Sequence, residues 1–331
     1  MMHLSDEKTR NSDFRAWSVQ KVYPKIERTH QQILVKEKKT MRVVVTTPTG
    51  NIGSRAVQLL IQAGVRPTLL VRNPERLPDT VRSASEVLTG ELGDREFILR
   101  ATEGVDALFW LVPTDYTSND PLGAMLQMGE NAAHAVRTNG ISRTVFLSST
   151  GAERRGNDPI STLGRIEDLL NATEASVLHL RPGYFYTNLF MSLDTLRQGV
   201  LPTMLPIDMP MPWNDPRDIG EIVAARLLNS AWTGQNVQAI NGPQHLSFQE
   251  VATIVSRTTG IPIQAISVTG EMAGQAMQQA GMSKAASEVM VEMYRGLAEF
   301  SAANYIPTYL TTAPTPLEAW CYLNLRPALV G

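Results

Sequence analysis

Thr47, Gly50 and Gly53, spaced three apart, punctuate the segment Met41–Gly53, M-R-V-V-V-T-T-P-T-G-N-I-G, where an apolar run breaks into a turn of small residues. Ser54–Ala63 then carries the spacing of a helix. A strand that turns sharply into a helix offers backbone N–H groups and a positive dipole end to an anion, and a dinucleotide pyrophosphate is bound in such a setting. Gly50 lets those N–H groups approach the phosphates, and Gly53 lets the helix pack closely on the sheet. Thr47 stands where the usual G-x-x-G-x-x-G spacing has its first glycine. Thr49, Asn51 and Ile52 complete the turn, so Thr47, Thr49, Gly50, Asn51, Ile52 and Gly53 are the first candidate cofactor contacts. Gly-rich turns also occur where nothing binds, so the next strand decides the reading.

Val65–Arg72, V-R-P-T-L-L-V-R, ends about 20 residues after the turn, where an NAD site carries Asp or Glu for the ribose 2′-hydroxyl. Here the strand ends in Arg72. A planar, permanently charged guanidinium suits a 2′-phosphate, so Arg72, aided by Arg76, favours NADP(H) over NAD(H). A merely solvated Arg at a strand end is the alternative.

The elements that must hold these residues continue as alternating strands and helices. Ser85–Leu88, Asp106–Val112, Thr144–Ser148 and Ser176–Leu180 read as the third to sixth strands, and Arg95–Thr102, Leu122–Thr138 and Ile160–Thr173 as helices between them. Continuous apolar strands in repeated βα units imply an α/β fold: a Rossmann-type, doubly wound parallel sheet covered on both faces. A proline-rich passage, Leu201–Pro216, precedes a helix at Arg217–Leu228 and a short strand at Val237–Ile240. Helical stretches at Phe248–Thr258 and Glu271–Phe300 follow. The expected division is an N-terminal extension (1–40), a nucleotide-binding domain (41–182 and 214–242) and a smaller, mainly helical substrate domain (183–213 and 243–331).

Ligands of open α/β sheets bind at the carboxyl ends of the strands. That rule selects Pro113 and Thr114 after the fourth strand, Ser148 and Ser149 after the fifth, and Pro182 and Tyr184 after the sixth. Pro113, Thr114, Ser148, Pro182 and Tyr184 are candidate cofactor contacts, and Tyr184 and Ser149 are the candidates for catalysis. The serines read equally well as turn hydroxyls that cap local backbone. Tyr184 and Tyr186 each read also as core aromatics with one satisfied hydroxyl. The simplest account of Asp218 is first-turn charge complementing a helix dipole.

Composition narrows the classes. With 331 residues and 43% hydrophobic content, the chain is long enough for about two domains with a substantial core. A lone cysteine, Cys321, cannot form an intramolecular disulfide, and the five histidines are scattered, so the expectation is a reducing, cytoplasmic setting without a metal site. Residues 1–40 carry nine Lys/Arg against five Asp/Glu, whereas the remainder carries 21 against 27. Six of the seven lysines precede Met41, which reads as an appended leader or an upstream start. Its charges are interspersed and it has no apolar core, unlike a targeting signal or a nucleic-acid-binding arm. No stretch has the length of a membrane span. The expected partner is a small-molecule acceptor, with neither nucleic acid nor membrane; no feature specifies an oligomeric state.

The order of several segments resembles the NmrA-like proteins, atypical members of the short-chain dehydrogenase/reductase superfamily. These are T-P-T-G-N-I-G, V-R-N-P-E-R at Val71–Arg76, T-G-E-L-G-D at Thr89–Asp94, L-S-S-T-G-A at Leu147–Ala152, L-R-P-G-Y-F-Y-T-N at Leu180–Asn188, D-P-R-D-I-G at Asp215–Gly220 and N-G-P-Q-H-L-S at Asn241–Ser247. Within that group the chain is similar to the NAD(P)H quinone oxidoreductase and azoreductase-like branch, including P-T-P-L-E-A-W at Pro314–Trp320. The resemblance implies an NAD(P)-binding fold. The superfamily's usual chemistry employs a Tyr-x-x-x-Lys pair, in which Lys lowers the phenol pKa. This chain departs from it: Asp158–Glu167 contains no tyrosine, and beyond Lys39 the one lysine is Lys284, with Ala280 four residues before it. Two functions survive. One is hydride delivery from NADPH to an electron-poor quinone, azo compound or enone whose product takes its proton from water. The other is a non-catalytic sensor of nucleotide redox state that acts through a protein partner.

Overall fold

The computed structural model describes residues 41–300 and 308–330; the expected extension, 1–40, lies outside them. β1 (Val43–Thr46), a run of three valines and a threonine buried throughout, feeds α1 (Asn51–Gln62). β2 (Thr68–Val71), α2 (Asp79–Ser83), β3 (Glu86–Thr89), α3 (Arg95–Ala101), β4 (Ala107–Trp110), α4 (Pro121–Asn139), β5 (Arg143–Leu147), α5 (Pro159–Asn171) and β6 (Ser176–Pro182) continue the alternation. Next come β7 (Tyr184–Phe185), α6 (Leu193–Arg197), β8 (Val200–Thr203), β9 (Met211–Asn214), α7 (Pro216–Leu228), β10 (Gln235–Asn241), β11 (His245–Leu246) and α8 (Phe248–Thr259). β12 (Gln264–Ser267), α9 (Gly270–Gln279), α10 (Lys284–Ala298), β13 (Tyr309–Thr312), α11 (Leu317–Trp320) and α12 (Arg326–Val330) complete the described elements.

Eight strands form one sheet in the order β13-β10-β6-β5-β4-β1-β2-β3, and every pairing in it is parallel. The order reverses between β1 and β4, which opens a crevice at their carboxyl ends. One face is covered by α1 and α7, whose Ala56, Val57 and Leu60 and Ile219, Val223 and Leu227 share a core with Val43, Val45 and Leu69. The opposite face holds Phe97, Ile98, Ala132, Val136, Ile166 and Leu170 from α3, α4 and α5. This is the doubly wound α/β architecture, with helices on both faces of a parallel sheet.

A third core, with Trp213, Phe248, Val255, Leu317 and Trp320, belongs to the smaller region. Two small sheets, β11-β9-β7 and β12-β8, accompany the helices there. The proline-rich passage thus contains β9 and the end of β8, short strands that the sequence reading left out. The segment 271–300, expected as one helix, is two: Gly281 takes φ +97°, and Ser283 caps α10 by accepting the Ala286 N–H at 3.0 Å. β13 pairs with β10 in the large sheet, although the sequence division assigned all of 243–331 to the substrate region. Tertiary pairing decides that strand, whose four residues carry too little pattern of their own.

Candidate functional site

The turn after β1 is built around Thr47. Its φ is +50°, the left-handed region that glycine occupies readily and a β-branched residue rarely does. The Thr47 carbonyl accepts the Gly50 N–H at 3.1 Å, closing the turn. A Cβ on Gly53 would lie 2.3 Å from that same carbonyl oxygen, so only glycine fits there. Gly50 is less constrained, since its Cβ would meet the carbonyl at 3.4 Å.

Expected to begin at Ser54, α1 in fact begins at Asn51, which brings Asn51, Ile52 and Gly53 into its first turn. Among the described α-helices of seven residues or more, α1 alone lacks a side-chain cap and α3, α4, α5, α7, α8, α9 and α10 each have one. The first-turn N–H groups of α1 therefore remain available to an anion. Thr47 Oγ1 beside them is buried without a hydrogen-bond partner among the described residues. These features fit a pyrophosphate. Arg72 leaves β2 exposed and forms no salt bridge among the described residues, and Arg76 is exposed as well.

A cavity of about 620 Å³ opens at the carboxyl ends of β4, β5 and β6. It brings together Ile52, Pro113, Thr114, Ser148, Ser149, Pro182 and Tyr184 of the sequence-selected residues, whereas Thr47, Thr49, Gly50, Asn51, Gly53 and Arg72 are not on its wall. The smaller region closes it with Met209, Met211, Met290, Met293, Tyr294 and Leu297. No Asp, Glu, Lys or Arg lines it.

Its polar equipment is specific. Tyr184 and Tyr294 place their hydroxyls 3.0 Å apart. Burial pushes the Tyr184 phenol up from its ordinary value and the Tyr294 phenol well above its own. The Tyr184 ring packs edge-on against Trp213 and Phe248, with centroids at 4.6 and 5.8 Å, which fixes where its hydroxyl points. Asn188 lines the cavity as well. Tyr186 is different: it is buried in the third core, where its hydroxyl donates to the Thr315 carbonyl at 2.9 Å. Ser149 donates to the Thr150 carbonyl at 3.1 Å, the local role open to a strand-end hydroxyl. Lys284 is exposed beside Glu288 and does not line the cavity.

Behind this wall lies a charged group. Arg181 of β6 reaches Glu167 of α5 at 2.9 Å and Glu153 at 2.8 Å. Burial pushes the Glu167 carboxyl up, yet the Arg181 guanidinium more than offsets this and holds it below its usual range. Sequence reading missed several parts of the site. Thr46 clamps β1 to the exit of β4, accepting the Leu111 N–H at 2.9 Å and donating to the Phe109 carbonyl at 3.2 Å. Asp218, read as a dipole partner, binds the Thr315 N–H and hydroxyl at 3.0 and 2.9 Å. Tyr294 carries no local signal at all, being 110 residues from its partner. Among the described residues there is no group of His, Cys, Asp and Glu able to hold a metal, and no helix long and apolar enough to cross a membrane.

Residues 39–322 match the model of the NmrA-like family. The chain is 27% identical over 275 residues to the NAD(P)H azoreductase of Xenophilus azovorans, covering 82% of this chain and 91% of that one. It is 31% identical over 226 residues to a (4-alkanoyl-5-oxo-2,5-dihydrofuran-3-yl)methyl phosphate reductase of Streptomyces griseus, covering 67% and 75%. The structure of an NADPH-dependent quinone oxidoreductase from Escherichia coli in complex with NADPH superposes with a TM-score of 0.69 at 16% identity, covering 86% of this chain and 99% of that one. At that identity the likeness concerns the fold.

Proposed function

The chain belongs to the NmrA-like family, and from that premise we propose that it is an NADPH-dependent reductase of a small electron-poor acceptor, a quinone, azo compound or enone. The observation that carries the reading is the juxtaposition of an uncapped helix N-terminus at the β1 turn with an apolar cavity at the carboxyl ends of β4, β5 and β6. The turn residues Thr47, Thr49, Gly50, Asn51, Ile52 and Gly53 would hold the pyrophosphate. Arg72 would take the 2′-phosphate, and Pro113, Thr114, Ser148, Pro182 and Tyr184 would hold the nicotinamide half. When bound, the reduced nicotinamide supplies a hydride.

The remaining work falls to the chain itself. Apolar side chains of the cavity exclude water from the acceptor, and the walls restrict its approach, which is the positioning that hydride transfer needs. With no Tyr-x-x-x-Lys pair in α5, the reduced product takes its proton from water. The reductase names of the Xenophilus and Streptomyces relatives support this reading over the sensor. The division into a nucleotide-binding part (41–182 and 214–242) and a substrate part (183–213 and 243–331) belongs to the same proposal, with β13 added to the first.

The test is a titration of the full chain with NADPH and with NADH, read by intrinsic fluorescence, followed by acceptor-dependent oxidation across a quinone, azo and enone panel. Tighter binding of NADPH together with turnover of at least one acceptor class is expected. Saturation with NADPH but no turnover across the panel would transfer the case to the sensor, and binding of neither nucleotide would end both readings.

A further inference from the structure

Two properties of the cavity, taken together, define what enters it. Its lining includes no Asp, Glu, Lys or Arg and its one histidine, His245, is exposed, although the charged cluster of Arg181, Glu167 and Glu153 lies behind it. An anionic or cationic substituent would find no buried counter-charge on this wall and would lose its hydration without compensation. The second property is the phenol pair. Tyr184 and Tyr294 bring two O–H donors together at 3.0 Å, and the contact between them consumes only one. Whichever ring accepts, its own O–H remains to be given to a third group, and both residues line the cavity.

We infer that the acceptor is an uncharged, flat carbonyl compound whose oxygen receives a hydrogen bond from the Tyr184–Tyr294 pair. The inference rests on the reductase reading and names the charge class of its substrate and the residues that hold its reacting oxygen. A quinone reduced to a hydroquinone gains two electrons with one hydride, drawn from the reduced nicotinamide, and one proton, drawn from water. Negative charge gathers on the carbonyl oxygen as the hydride arrives, and a fixed phenol donor in a dry site stabilises that charge more than it stabilises the neutral ground state. Burial keeps both phenols protonated at neutral pH, so the pair holds its proton on the tyrosine oxygen and acts as a donor rather than as an acid.

The experiment compares the full-length wild type with Tyr184→Phe, Tyr294→Phe and the double variant, each shown to be folded by its melting curve. The acceptors are menadione, which is neutral, and 1,2-naphthoquinone-4-sulfonate, which is not. For Tyr294→Phe, which lies outside the residues assigned to the nucleotide, NADPH affinity measured separately by fluorescence should stay within about twofold. With menadione, kcat should fall about tenfold or more in the double variant and by no more than that in either single one, with KM nearly constant, because the pair delivers one hydrogen bond and that interaction belongs to the transition state. For the wild type, KM for the sulfonate should exceed that for menadione by about tenfold or more. An unchanged kcat in the double variant, or equal use of the two quinones, would overturn the inference while leaving the reductase reading intact. A wild type that binds NADPH but turns over neither these quinones nor any azo or enone acceptor would overturn the reading, and the inference with it.

Discussion

Replacing Thr47 with glycine should stabilise this protein, against the usual direction for a buried-turn substitution. Thr47 is held at φ +50°, where an L side chain costs about 1–2 kcal/mol. Its hydroxyl is buried without a partner, which adds about 1 kcal/mol of desolvation. Against this, glycine carries about 0.5–1 kcal/mol more backbone entropy in the unfolded chain, and the lost methyl forfeits about 0.8 kcal/mol of burial. The balance is a gain of about 1 kcal/mol, or about 2 °C in melting temperature for a unit of this size. Urea unfolding of nucleotide-free wild type, Thr47→Ala and Thr47→Gly separates the terms. Alanine loses the same methyl and hydroxyl but keeps its Cβ in the left-handed region, so glycine should exceed it by about 1 kcal/mol. Equal midpoints for alanine and glycine would refute the argument from strain. NADPH should bind the glycine variant more tightly, since no Cβ then crowds the turn; weaker binding would mean that the Thr47 hydroxyl is itself a ligand.

Gly53→Ala should abolish NADPH binding within the range of a fluorescence titration, because its Cβ would meet the Thr47 carbonyl at 2.3 Å and force the turn open; retained affinity would place the phosphate elsewhere. Arg72→Asp should shift the NADPH to NADH affinity ratio toward NADH by about tenfold, the effect of replacing a guanidinium partner with a repelling carboxylate. Glu167→Ala removes a buried partner of Arg181 and should cost about 3 kcal/mol in urea unfolding. His179 is buried and its imidazole is pushed down to about 4, chiefly by desolvation. Unfolded histidine titrates near 6.5, so between these values the unfolded chain binds a proton that the folded one does not. Stability is therefore complete above about pH 6.5 and falls as pH drops toward 4, by about 3 kcal/mol in all. His179→Gln should flatten that part of the stability profile, and an unchanged slope would assign it to other groups.

The turn after β1 follows from local pattern and was legible in the sequence. Gly53 and the helix behind it are dictated by the chain turning within a few residues, and the βα alternation fixes which strand ends meet at the crevice. Boundaries moved for local reasons: α1 starts three residues early because Gly50 takes the extended N-cap conformation, and β6 runs on to Pro182 because Arg181 finds carboxylates in a place where a charge would otherwise end a strand. What could not be read are contacts made by folding alone. The separation of Tyr184 from Tyr186 into cavity and core depends on Tyr294 and Thr315, both more than a hundred residues away. β13 joins the large sheet through pairing with β10, a choice that a four-residue segment with two exposed apolar side chains does not announce.

That contrast has a chemical consequence. The cofactor half of such a site must satisfy a fixed ligand, so its residues recur at fixed spacing in a short stretch of chain. The acceptor half need only exclude water and offer a donor, and many combinations of distant side chains achieve this. In the acceptor half proposed here, α10 supplies Met290, Met293, Tyr294 and Leu297 to the cavity wall, while β6 and β7 supply Pro182 and Tyr184. The charge that β6 carries is turned away and neutralised by Glu167 and Glu153, so the same strand presents an apolar residue to the cavity and an ion pair to the core behind it. If that separation sets the neutral character of the pocket, Glu167→Ala should alter stability far more than it alters the preference for menadione over its sulfonated counterpart. An equal loss in both would mean that the buried charges reach the acceptor after all.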